Sequence, residues 1–146
     1  MSKKVLGSVV ELFVSKEDKI REQKEALTLE LDGVCEDRFK GKDITRSILI
    51  VSLKSYEMAK QKGIDITKGE LGENILVDFD PYALEGGTKL RIGSAVIEIS
   101  QRSSLCSSLS KINNKLPKLL KDKRGIFAKV ICDGQVSVGD DISLNS

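Results

Sequence analysis

The chain has 146 residues, with 24 Lys and Arg against 22 Asp and Glu, a net charge of +2, 40% apolar residues and 32% charged ones. That length suits one domain, able to bury about 70% of the surface its unfolded form exposes, and charges mixed through an ordinary apolar content exclude a disordered chain. Near-neutrality gives no global reason to bind nucleic acid, and the absence of histidine excludes a Ser-His-Asp or Cys-His pair and any imidazole zinc site.

The two lysines near the start are not followed by the apolar stretch of a signal peptide, because Glu11, Lys16 and Glu17 arrive too soon. The longest apolar runs, such as residues 48–51, are too short to span a membrane. We therefore expect a cytoplasmic protein with no membrane association. Three widely spaced cysteines, Cys35, Cys106 and Cys132, suggest reduced thiols rather than a disulfide framework, and are too scattered for a Cys-only zinc site.

In chain order, residues 5–14 place Leu6, Val10, Leu12 and Val14 on one alternation and Val9 and Phe13 on the other, as in a strand with both faces partly buried. Residues 15–24 are highly charged without an apolar stripe and read as an exposed loop or a frayed helix. Residues 26–31 alternate Leu27, Leu29 and Leu31 against polar neighbours, a half-buried strand closed by Asp32-Gly33. The loop Gly33-Val34-Cys35-Glu36-Asp37-Arg38-Phe39-Lys40-Gly41 reads either as a turn whose Asp37 and Arg38 pair locally or as a functional loop.

Residues 44–51 read as a buried strand preceded by Thr45-Arg46. Ser52 caps a predicted helix over 53–61 that closes at Gly63. Gly69, Gly72, Glu73 and Asn74 make a glycine-punctuated turn into the next strand; it either presents Glu73 and Asn74 to a ligand or uses Asn74 to satisfy backbone. Residues 88–92 and 95–100 form a predicted hairpin turning at Gly93-Ser94.

A run of serines follows around Cys106. Leu109, Ile112, Leu116, Leu119 and Leu120 keep helical spacing, but Asn113-Asn114 and Pro117 split it into two short helices. From Arg102 to Arg124 there are seven basic residues (with Lys111, Lys115, Lys118, Lys121 and Lys123) and one acid, Asp122; such runs are usually solvated faces. The end reads as a hairpin: residues 126–132, a turn at Asp133-Gly134, and residues 135–144 bent at Gly139. Short strands, many glycine turns and few helices predict a mainly β fold, an antiparallel barrel with peripheral helices whose ligand site lies on loops at the mouth.

Gly33 to Gly41, Thr45-Arg46-Ser47-Ile48-Leu49-Ile50, Gly72-Glu73-Asn74-Ile75, Gly86 to Gly93 followed by Ala95 to Ile99, Cys106, and Arg124-Gly125-Ile126-Phe127-Ala128-Lys129-Val130 with Gly139-Asp140 together resemble, in their order, the MOSC domain family, named from the C-terminal domain of molybdenum cofactor sulfurases. The resemblance implies a MOSC-type β-barrel, a single MOSC-like domain over 1–146, and a pocket for a molybdopterin-type cofactor. By place in the motif order, Cys106 is the cysteine that carries sulfur or ligates molybdenum. Arg38, Arg46, Glu73, Asn74 and Arg124 fall on or beside the family's polar motifs, and with Arg102 they are the expected cofactor-binding residues.

The implied activity is that of a sulfur carrier or transferase, or of a molybdenum-cofactor-dependent reductase. Implied partners are molybdenum-cofactor biosynthesis proteins or a cysteine desulfurase. Nothing of this length holds a pyridoxal phosphate domain, so sulfur must come from outside. The motifs depart from the family in having Glu36 before Asp37, Phe39 where histidine is frequent, and Leu105 where proline often precedes the cysteine.

The chemistry of a thiol adds a reading of its own. A thiolate is favoured by nearby positive charge, and Arg102 lies four residues before Cys106; a soft thiolate suits molybdenum, and arginines suit a phosphate. Cys132, ending an apolar strand, reads as a small buried hydrophobe, and Cys35 as a possible resolving thiol. The alternative function is a non-catalytic module that docks on a partner through its basic segment. With four phenylalanines, two tyrosines and no tryptophan, stacking platforms for nucleic acid are few.

Overall fold

The structure, a computed structural model, describes residues 4–17, 21–103 and 107–145, so Cys106 lies outside the described residues. Its strands are β1 (Val5–Ser15), β2 (Arg21–Lys24), β3 (Ala26–Glu30), β4 (Gly33–Val34), β5 (Ile48–Ser52), β6 (Ile75–Val77), β7 (Lys89–Ile92), β8 (Ala95–Arg102), β9 (Ile126–Cys132), β10 (Gly134–Ser137) and β11 (Asp141–Leu144). The helices are α1 (Leu53–Gln61), α2 (Ser107–Ile112) and α3 (Leu116–Leu120).

Seven strands close into a barrel in the order β11-β7-β8-β9-β5-β6-β1, with β1 pairing back onto β11. Every pairing in the ring is antiparallel except β5 with β6, which α1 joins as a crossover. A second sheet, β10-β3-β4, covers part of the barrel.

The two sides of β5 and β6 explain their unbroken apolar runs. Ile48, Ile50, Ile75 and Val77 point into the barrel core, while Val51 and Leu76 join Ala59, Leu109, Leu116 and Leu120 in a second cluster beneath the helices. A strand buried on both faces does not alternate. Ser52 caps α1 by accepting from Lys54 N at 3.0 Å, and Gly63, at φ 76°, ends it. Tyr82 ties α1 to the barrel: its hydroxyl accepts from Ser52 N at 2.8 Å and lies 2.6 Å from Ser55 Oγ. Among the described residues no helix is long and apolar enough to cross a membrane.

Several expectations are corrected. The charged stretch after residue 15 contains β2, which pairs with β1 from Leu12↔Lys24 to Ser15↔Arg21. Its cohesion comes from backbone pairing and from ion pairs of Lys24 and Lys16 with Glu22 and Glu36 rather than from apolar alternation. Residues 44–46 form a single 3-10 turn capped by Asp43, and the strand starts only at Ile48. Leu31 is exposed, beyond the end of β3.

The C-terminal segment is not a hairpin with β9. Instead β10 leaves the barrel to pair with β3, where Val136 packs opposite Leu27, and β11 returns to close the ring. Cys132 is exposed rather than buried, because it is the last residue of β9.

Candidate functional site

A cavity of about 480 Å³ opens between the 37–47 loop, the 70–74 turn and the start of β9, within the range of small-molecule sites. Among the described residues five cations line it, Arg21, Arg38, Lys42, Arg46 and Arg124, against three carboxylates, Asp37, Asp43 and Glu70. Its apolar wall includes Phe39, Leu49, Leu71, Leu109 and Phe127.

The loop that carries Arg38 is fixed at its base by Asp37, a buried carboxylate. Asp37 Oδ1 accepts from Ser15 N at 2.8 Å and from Asn74 Nδ2 at 3.3 Å, and Oδ2 accepts from Phe39 N at 3.1 Å. Asp37 and Arg38 therefore do not pair with each other. Arg38 Nε donates to Ser15 Oγ at 2.9 Å, and its guanidinium stacks 4.3 Å from the centre of the Phe39 ring. Among the described residues no carboxylate lies within ion-pair distance of Arg38 or Lys42.

Arg46 reaches the cavity from the 3-10 turn. It sits 5.4 Å from the centre of the Phe127 ring, and its Nε lies 3.8 Å from Asp43 Oδ2. Arg124 is fixed by donating from Nη2 to the carbonyl of Pro117 at 2.8 Å, so α3 holds one cation of the site.

Asn74 and Glu73 divide in role. Asn74 lines the cavity, but its amide is spent on structure: Oδ1 accepts from Leu49 N at 3.0 Å, while Nδ2 donates to Phe13 O at 3.2 Å as well as to Asp37. This agrees with the reading in which the amide satisfies backbone. Glu73 is fully buried beneath the cavity and does not line it. Its Oε2 accepts from Tyr56 OH at 2.6 Å and from Gly69 N at 3.2 Å, whereas Oε1 has no hydrogen-bond partner.

Burial pushes the Glu73 carboxyl up from its ordinary value, and burial together with Glu73 pushes the Tyr56 hydroxyl up as well. Gly69 is required here. It holds φ at 97°, and a Cβ would sit 3.0 Å from the Phe13 ring.

Arg21, in the stretch expected to be an exposed loop or a frayed helix, lines the cavity. Its Nη2 donates to the backbone carbonyl of Glu73 at 2.5 Å, and its Nε is buried without a hydrogen-bond partner among the described residues. Burial lowers its pKa, opposed by Glu73 and Asp37. The cross-strand register that brings it in, opposite Ser15, has no signature in apolar periodicity.

Arg102 does not line this cavity. It lies on the wall of a smaller cleft with Tyr82 and Gln101, and its Nη1 is 3.8 Å from Asp122 Oδ2. Cys35 is half-buried and donates from Sγ to Glu30 Oε1 at 3.0 Å, and that bond, with burial, pushes the thiol up and away from thiolate chemistry. Cys106 lies outside the described residues, but Ser103 and Leu109, three positions to either side of it, both line the cavity. Among the described residues no three His, Cys, Asp or Glu side chains cluster as a metal-ligand set.

A closed seven-stranded barrel with a cationic, partly aromatic cleft on its loops defines the architecture of a small β-barrel domain. The MOSC domain family model matches residues 17–143, and the chain belongs to the MOSC domain family. The fold is similar to that of the YUAD protein from Bacillus subtilis (TM-score 0.78, 19% identity, covering 100% of this chain and 97% of that one). It is also similar to YiiM from Geobacillus stearothermophilus (TM-score 0.70, 17% identity, 99% and 76% covered). YiiM from Escherichia coli is similar as well (TM-score 0.67, 23% identity, 93% and 69% covered). No curated protein matches the sequence.

Proposed function

We propose that this chain binds a molybdopterin-type cofactor in the cationic cavity and uses Cys106 as its sulfur ligand or as a carrier of sulfur. The observation that carries the proposal is that the residues three before and three after Cys106, Ser103 and Leu109, both line the cavity that holds five cations. A three-residue tether spans at most about 11 Å, which bounds the distance from either of these lining residues to Cys106.

The donor set suits the group. Arg38, Arg46 and Arg124 would hold the phosphate by charge-assisted hydrogen bonds, and Phe39, Phe127 and Leu49 would flank the flat ring system. Bound there, the cofactor supplies a molybdenum centre to which a thiolate is a suitable soft ligand. The chain's own residues orient it, exclude water with the apolar wall, and keep it anionic. As a carrier, the Cys106 thiolate would attack the outer sulfur of a donor persulfide, forming a persulfide on Cys106 and releasing the donor thiolate, with no net oxidation. Within that reading the protein works beside a cysteine desulfurase or cofactor-biosynthesis protein in the cytoplasm, as one domain.

Labelled sulfur from a cysteine desulfurase tests the carrier role. The parent and Cys132→Ser take up one sulfur each, and Cys106→Ser takes up none; equal labelling of all three defeats it.

A second reading keeps one observation in its favour. Lys111, Lys115, Lys118 and Lys121 are exposed and make no ion pair among the described residues, a face suited to an acidic partner. Binding through it weakens with salt and ignores Cys106→Ser.

A further inference from the structure

We propose that Arg21 sets the charge preference of the cavity, so that together with Arg38 it selects a ligand bearing a dianionic group over the same ligand bearing a monoanionic one. This rests on reading the cavity as a site for an anionic ligand and goes beyond it by assigning a residue and a charge state.

The two guanidinium groups converge through Ser15. Arg21 is the cross-strand partner of Ser15 in the β1–β2 pairing, and Arg38 donates to the Ser15 hydroxyl at 2.9 Å. Both line the cavity, and like charges held together raise each other's cost of ionisation. The acids nearby do not discharge them by contact. Asp37 directs its oxygens to Ser15 N, Phe39 N and Asn74 Nδ2, and Glu73 directs Oε2 to Tyr56 and Gly69. Glu73 offers Arg21 only its backbone carbonyl, which leaves the buried Nε without an acceptor. Asp37, Glu73, Tyr56 and Arg38 are the groups whose charges act on Arg21.

A buried polar donor without a partner, and a guanidinium without a counter-charge in contact with it, are both unfavourable until something supplies them. The cavity lining as described holds two more cations than carboxylates. A phosphate monoester carries close to two negative charges at neutral pH and three acceptor oxygens, which matches that excess. A sulfate monoester of the same shape carries one charge and leaves one cation uncompensated.

Phenyl phosphate and phenyl sulfate, titrated calorimetrically into the full chain at about pH 7.5, above the second phosphate pKa of about 6, provide the test. The parent binds the phosphate about tenfold or more tightly than the sulfate. Arg21→Gln and Arg21→Met, checked for folding by thermal melting, bring the two affinities within about threefold of each other, while Arg21→Lys keeps the preference with weaker binding of both. Equal affinities in the parent overturn the proposal without any variant, and so does an undiminished preference in a folded Arg21→Gln or Arg21→Met.

Failure of the chain to retain molybdenum cofactor, with the ester preference intact, would remove the cofactor reading and leave this one standing. Cofactor retention without any ester preference would do the opposite.

Discussion

Ser15 holds Arg38 at two points: its carbonyl accepts from the Arg38 N–H at 2.8 Å, and its hydroxyl accepts from Arg38 Nε at 2.9 Å. The backbone contact fixes where the loop sits and the hydroxyl fixes how the guanidinium is turned. Ser15→Ala removes the second and spares the first. Stability should fall by about 1 kcal/mol, and affinity for a phosphate monoester by about three- to tenfold. Calorimetric titration of phenyl phosphate checks it, and an unchanged affinity would show that Ser15 does not orient Arg38.

Asn74 joins three segments through one amide, so its replacements separate packing from charge. Asn74→Leu leaves Leu49 N and Phe13 O without their side-chain partner and should cost about 2–4 kcal/mol at every pH. Asn74→Asp puts a carboxylate against Asp37 Oδ1 in place of a donor. It should cost at least as much near neutrality and recover part of the loss as the pH falls, because a neighbouring like charge favours the protonated form of the introduced carboxyl. Urea unfolding across pH distinguishes the two.

The buried Glu73 makes stability depend on pH with a definite sign. Its carboxyl is raised above the ordinary value of 4.5, chiefly by burial, so from that pH upward the folded chain holds a proton that the unfolded chain has released. The unfolded state then binds fewer protons, and the contribution of Glu73 to stability falls as pH rises until the folded carboxyl itself ionises. Glu73→Gln removes that fall. The stability of the variant relative to the parent should grow as the pH rises above the ordinary carboxyl value of 4.5, and a constant difference would contradict it.

Leu116 is fully buried against α1 and the outer faces of β5 and β6. Leu116→Ala should cost about 2–5 kcal/mol. Because the neighbouring Pro117 carbonyl holds Arg124, the same change should weaken binding of phenyl phosphate. A stability loss with unaltered binding would show that α3 does not position Arg124.

What was legible in the sequence follows the physics of each segment. The Ser52 cap, the split of the basic region at Asn113-Asn114 ahead of Pro117, and the Gly93-Ser94 hairpin were readable because each is decided by residues close together in the chain. The strand β2, the departure of β10 to pair with β3, and the placement of Arg21 were not, because each depends on pairing between distant segments whose exposed faces carry no apolar alternation. Arg38, Arg46 and Arg124 were readable from motif order and do line one cavity. That Glu73 lies beneath the cavity and Arg102 beside a different cleft depends on side-chain direction, which spacing does not encode.

The most direct measurement is the molybdenum and pterin content of the chain after loading with molybdenum cofactor and gel filtration. The account predicts close to one equivalent of each on the parent and on Cys132→Ser and a large loss on Arg38→Ala; Cys106→Ser loses the cofactor where the thiol is its ligand and keeps it where the thiol carries sulfur. A parent that retains neither, or an Arg38→Ala variant that retains as much as the parent, would contradict it.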